Sequence, residues 1–126
     1  MEVVNRLGRR FFWDKVTGNI IAQRNEMEGA LVESTKEQDF ALYAELAGYS
    51  PEAVEMTTFE YGQYAEDFSR STSWRFDPST KKIQFYYPDD SNPGEVLEPQ
   101  QPLTEQVTEL RQAIADLTRA IATIRS

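Results

Sequence analysis

The stretch Arg10-Phe11-Phe12-Trp13-Asp14-Lys15-Val16-Thr17-Gly18-Asn19-Ile20-Ile21-Ala22-Gln23 sets aromatic and β-branched runs on either side of a short polar turn. An aspartate can bond forward to the turn backbone and a glycine supplies positive φ, so the spacing predicts a β-hairpin with its tip at Asp14–Gly18. A second segment follows the same plan. Trp74 and Phe76 alternate with Arg75, the turn is Asp77-Pro78-Ser79-Thr80-Lys81, and Ile83, Phe85 and Tyr87 alternate with Lys82, Gln84 and Tyr86. Aligning Asp14 with Asp77 also aligns Thr17 with Thr80 and Ile20 with Ile83. Shared turn chemistry accounts for this echo without any duplication.

Between the hairpins lie two helix signatures. Ser34-Thr35-Lys36-Glu37 reads as a capping box, with the Ser34 hydroxyl accepting from the Glu37 amide and that carboxylate reaching back. Phe40, Tyr43, Ala44 and Ala47 then recur at helical spacing and Gly48 ends the pattern, which predicts a helix over 35–47. Thr57-Thr58-Phe59-Glu60 repeats the capping pattern before Tyr61, Tyr64, Ala65 and Phe68, predicting a helix over 58–69 that Gly62 weakens; Ala53–Met56 reads as a short strand before it. The fold class is therefore α+β: a small antiparallel sheet of hairpins with two helices packed on one face, over residues 1–87.

Residues 88–102 hold four of the six prolines together with Asp89, Asp90, Glu95 and Glu98 and no base. Proline lacks the amide proton that ladders need and the acids repel one another, so an extended, solvated linker is expected. From there to residue 126, Leu103, Val107, Leu110, Ile114, Leu117, Ile121 and Ile124 step alternately by four and three. That is a heptad seam, and a lone helix exposing it is marginal in water. β-branched residues at one core position and leucine at the other favour two strands, while Ala113 and Ala120 widen the apolar face. A homo-oligomer is expected, with three copies favoured. The alternative is that the stripe folds back onto the N-terminal module as an ordinary domain helix.

Composition narrows the chemistry. The chain has no cysteine and no histidine, which removes thiolate nucleophiles, imidazole bases and the zinc sites built on them. Carboxylates remain, but Glu66–Asp67 and Asp89–Asp90 are adjacent pairs that point apart and are expected to be solvated. The Asp14–Asn19 turn lacks the ligand ladder of a calcium loop, and no glycine-rich phosphate loop occurs. No catalytic, cofactor or metal site is expected. A net charge of −8 opposes nucleic-acid binding, and the one basic cluster, Arg6, Arg9 and Arg10, is expected to be a solvated arm. No apolar run suits a signal peptide or a membrane span of about 18 residues, so a soluble, non-secreted protein is expected. Trp74 and Phe76 are assigned to the core. Trp13 and Tyr86, opposite in pleat to Phe12 and Tyr87, are the candidates for a partner-facing surface.

The order of these parts resembles small proteins encoded beside tail-fibre genes in bacteriophages and defective prophages, namely the tail-fibre assembly proteins and the short prophage tail proteins of the XkdW type. The residues that carry the likeness are Phe12–Ile21, Val54–Tyr61, Trp74–Ile83 and the proline-rich segment leading to Pro102–Val107. What the resemblance implies is a non-enzymatic role in the distal tail: an accessory or adaptor protein that attaches to fibre or baseplate subunits, in the virion tail and, during assembly, the host cytoplasm. An assembly chaperone that leaves before maturation is the alternative. An acidic inhibitor of a host DNA-binding protein ranks below both, because many of the acids lie in the linker.

Overall fold

The N-terminal part of the chain is one bent β-ribbon. In the computed structural model, which describes residues 2–125, β1 (Val4–Leu7) pairs with β4 (Met27–Leu31), and β2 (Arg10–Asp14) pairs with β3 (Ile20–Arg24). Leu7 faces Met27 and Arg10 faces Arg24, so the same number of residues separates the pairs on each strand and the register runs unbroken through the bend. The bend lies at Gly8, where a Cβ would come within 1.8 Å of the Phe59 carbonyl oxygen, and the Phe59 amide donates to the Arg9 carbonyl at 2.8 Å. A backbone crossing that close admits only glycine.

The hairpin tip forms as the sequence predicts. Asp14 Oδ1 accepts from the amides of Val16 and Thr17, and Gly18 adopts φ 79°. After α1 (Lys36–Leu42), β5 (Val54–Thr58), α2 (Ala65–Arg70) and β6 (Ser73–Phe76), the second tip repeats these bonds before β7 (Ile83–Tyr86). Asp77 Oδ1 accepts from Ser79, Lys81 donates to the Asp77 carbonyl as Gly18 does to Asp14, and Lys81 takes φ 62° where the first tip has glycine. The Asp-x-x-Thr echo is thus one turn conformation used twice. The two tips differ in surroundings: a Cβ on Gly18 would lie 1.8 Å from the Phe76 carbonyl oxygen, because the Phe76 amide donates to the Gly18 carbonyl and ties the tip to β6.

β5 joins β2 to give the order β3-β2-β5, and β2 is buried on both faces. Alternation puts Phe11 and Trp13 on one side of it and Phe12 on the other. Phe12, Ala22, Leu46 and Val54 form a cluster under Phe40 and Tyr43 of the α1 region. On the opposite face Phe11 and Trp13 meet Phe68 of α2 and Phe76, Ile83 and Phe85 of the second hairpin. Trp13 stacks on Phe76 at 5.0 Å and Phe68 meets Trp74 edge-on at 4.9 Å. Each such pair contributes about 0.5–1.5 kcal/mol beyond its area. The two helices therefore flank the sheet on opposite sides, whereas the hydrophobic pattern placed them on one.

Both helix starts also differ from the sequence expectation. The α1 capping box is Thr35 with Gln38, one residue later than Ser34 with Glu37, because Ser34 is engaged by Arg10 and by Asp39. That helix ends at Leu42, ahead of a 3-10 turn at Ala44–Leu46. Thr57 and Thr58 are strand residues, not caps. Their hydroxyls accept from Trp13 Nε1 at 3.0 Å and Arg10 Nε at 2.8 Å, so α2 begins only at Ala65, after Tyr64 at φ 58°.

The arginine cluster divides: Arg9 and Arg10 are built into the fold, while Arg6 on β1 remains exposed to solvent. Arg10 is 4% exposed and pairs with Asp39, 3% exposed, at 2.8 Å. Glu33 bridges Arg10 and Arg24; burial alone would raise its pKa, but the Arg24 bond and the two guanidinium charges hold it lowered. Arg9 lies over the Phe68 ring at 4.2 Å and Arg6 over Tyr61 at 4.9 Å.

Residues 88–102 are not a free linker. The chain turns at Asp89–Glu95 and returns along β7: Leu97 donates to the Tyr87 carbonyl, and Phe85 and Gln100 exchange both amide bonds, at 2.8 and 3.1 Å. The acidic turn is solvated, as its composition predicts, while the returning limb covers an edge of the second hairpin.

Candidate oligomerisation interface

The last element is α3 (Leu103–Arg125), a helix of 23 residues and about 34 Å at 1.5 Å per residue. Met1 and Ser126, the outer ends of the expected module and helix, lie outside the described residues. The head grips α3 by four successive residues. The Leu103 amide donates to Tyr87 Oη at 2.9 Å, and that hydroxyl donates to Asp67 Oδ1 at 2.8 Å. Thr104 donates to Asp67 twice, from Oγ1 at 2.6 Å and from its amide at 3.3 Å. Glu105 accepts from Tyr64 Oη, and Gln106 Nε2 donates to Gln100 Oε1 and the Gln101 carbonyl.

Asp67 is thus an N-terminal cap supplied by another helix: it accepts from the Thr104 amide directly and holds the Tyr87 hydroxyl that accepts from the Leu103 amide, and it places negative charge at the positive end of the helix dipole. At 1% exposure Asp67 is not the solvated acid that its pairing with Glu66 suggested. Burial, with the carboxylate bond adding to it, raises the Tyr64 pKa to about 12 and also raises that of Tyr87.

One further bond reaches up the helix, from Gln101 Nε2 to Glu109 Oε2 at 3.0 Å, and past it α3 stands clear of the head. Every residue from Val107 to Ile124 is exposed, with Leu110 and Leu117 at 62% and Ile124 at 84%. The stripe does not fold back onto the module. Leu103 behaves differently from the rest of the expected seam: it is half-buried and packs against the Phe85 and Tyr87 cluster of the head. The free seam is therefore Val107, Leu110, Ile114, Leu117, Ile121 and Ile124. At its base, clefts of about 420 and 400 Å³ open on either side of Arg70, the first toward Val107 and Arg111, the second toward Tyr87 and Leu97.

The two residues expected to face a partner part company. Trp13 is 1% exposed and bonded to Thr57, because β2 is covered on both faces, so it presents no surface. Tyr86 is half-buried on β7 opposite Ser73. Sequence reasoning found the seam through its spacing but missed Asp67, Tyr64 and Tyr87 as the mount, since nothing local distinguishes a capping carboxylate supplied from another helix. Among the described residues no cluster of three or more carboxylates could hold a metal ion, and no helix is long and apolar enough to cross a membrane. Compared with protein-family models, with curated proteins and with solved structures, the chain finds no match in any of the three.

Proposed function

We propose that this protein is a non-enzymatic adaptor, a folded head on a helix that joins it to copies of itself or to fibre or baseplate subunits of a phage-like tail. One observation carries the reading: six large aliphatic residues in heptad spacing stand exposed on a helix whose first turn is rigidly bonded to the head. A seam of that kind is unfavourable in water and is covered when helices pair, at about 25 cal/mol per Å² of apolar area removed from solvent. A head with a flexible tether would deliver a partner loosely; a head with a capped, bonded helix holds it in fixed geometry. The tail setting comes from the resemblance of the chain's parts to small tail-associated proteins.

Sedimentation of the full chain tests the helix. Association lost in Leu117→Asp with the head still folded supports the reading, and a wild-type protein that stays monomeric and captures no fibre or baseplate protein ends it. Mass spectrometry of purified particles then tests the setting. Stoichiometric copies fit an adaptor, and absence from particles would make the protein an assembly factor.

A further inference from the structure

We infer that residues 88–102 are a strap with two settings: docked along β7, where it fixes α3 to the head, and released, where it becomes a tether between the intact head and the helix. The inference does not depend on what covers the helix seam. It starts from a conflict between the composition of this segment and its place in the fold. Four prolines and four carboxylates without a base describe a chain that repels itself and extends in water. Docking does nothing to neutralise that charge. Asp89 bonds within its own turn, and among the described residues the side chains of Asp90, Glu95 and Glu98 have no partner.

What holds the strap is polar. Against β7 it makes three backbone bonds, one from Leu97 to the Tyr87 carbonyl and one in each direction between Phe85 and Gln100. Its aliphatic side chains add little, since Val96 is 46% exposed and Leu97 41%. At its far end the grip of Asp67, Tyr64 and Tyr87 on the first turn of α3 is again hydrogen bonding. Among the described residues past Tyr87 only Pro102 is buried, with Leu103 half-buried beside it. The aromatic cluster of the head is built from Phe11, Trp13, Phe68, Phe76 and Phe85, all of which precede the strap.

Undocking therefore uncovers amides, carbonyls, two phenol hydroxyls and a carboxylate, groups that water satisfies, and little apolar surface. Unfolding the head uncovers the whole aromatic cluster, which water disfavours. The smaller opening lies at lower free energy and precedes the larger one. The docking bonds act side by side, so the joint is stiff while they hold and they part as one unit. A head on such a joint is free to search for an orientation when released and is fixed in one when docked.

Hydrogen exchange of the full chain, followed by NMR at a series of low urea concentrations, tests the strap. The reporters are the amides of Phe85, Leu97, Gln100, Leu103 and Thr104, each of which gives its proton to a docking bond. In the wild type they are expected to share one opening, more frequent than that of the β2 amides and with a shallower dependence on urea, because less surface is exposed. Thr104→Val removes the hydroxyl bond to Asp67 and should speed all five alike, by about tenfold. Val54→Ala, in the Phe12 cluster on the far side of the sheet, should speed the β2 amides and leave the five unchanged. If the five share the rate and urea dependence of β2, or quicken with it in Val54→Ala, the strap opens only when the head unfolds and the inference is overturned. If Thr104→Val speeds Leu103 and Thr104 alone, the bonds part separately and the inference fails as well.

Discussion

The grip of Asp67 on the first turn of α3 can be measured directly. Replacing it by asparagine keeps the shape and one acceptor oxygen but removes the charge from a site that accepts from Tyr87 Oη and twice from Thr104. Hydrogen bonds to a charged group are worth about 1.5–3 kcal/mol against about 1 for neutral ones, so two short bonds lose about 2 kcal/mol between them. The lost anion at the helix N-terminus adds about 0.5 kcal/mol, and relief of carboxylate desolvation offsets part of the total. Asp67→Asn should therefore cost about 2 kcal/mol in urea unfolding. Thr104→Val removes one donor of the same bond, so the double variant should cost less than the sum of the singles, with a coupling of about 1 kcal/mol. Helicity by circular dichroism and tryptophan fluorescence, which reports on Trp13 in the core and on the half-buried Trp74 packed against it, are followed together. Coupling within about 0.3 kcal/mol of zero would mean that the two residues act independently and would refute the capping argument.

Three further perturbations probe the frame and the mount. Asp39→Ala leaves the buried Arg10 guanidinium without its carboxylate and should cost about 3–5 kcal/mol, measured by urea denaturation; a loss below about 1 kcal/mol would mean that Ser34 and Glu33 suffice. The twin turns should respond in opposite directions: Lys81→Gly relieves a left-handed lysine and gains about 0.5 kcal/mol, while Gly18→Ala drives a methyl into the Phe76 carbonyl and loses about 3 kcal/mol, both read as shifts in Tm. Tyr64 keeps its proton to about 12 when folded, whereas the unfolded phenol releases it near 10, so the stability it supplies is complete below about pH 10 and drains away as pH rises toward 12. The urea midpoint of the wild type should fall across that window more than that of Tyr64→Phe, and equal slopes would contradict the assignment.

The parts of the fold that could be read in the sequence are those fixed by local chemistry. Asp14 with Gly18, and Asp77 with Thr80, dictate their turns, and the seam of α3 follows from spacing alone. The parts that could not be read are decided by distant partners. β1 and β4 contain Asn5, Glu28 and Gly29, residues that strands disfavour, and they pair, with one irregularity between Val4 and Arg6, because they continue the β2–β3 hairpin in step. Thr57 and Thr58 have the composition of a helix cap, but hydroxyls claimed by Trp13 and Arg10 on β2 hold them in a strand. Proline and acid content described residues 88–95 well and missed the return along β7, since backbone pairing leaves little mark on side-chain composition. Of the candidate interface, the apolar face was legible and its attachment was not. Asp67, Tyr87 and Thr104 are brought together only by the fold.

The limb that returns along β7 runs directly into α3 with no slack between them. A pull on the helix tip would meet the Gln100–Phe85 and Leu97–Tyr87 bonds together with the Asp67 grip, all loaded at once, and through Phe85 and Tyr87 it would reach the stacked aromatic rings. Tension is thus shared across the interior of the head and does not collect at a hinge, so the helix is a stiff shaft set in its handle and can transmit force as well as position.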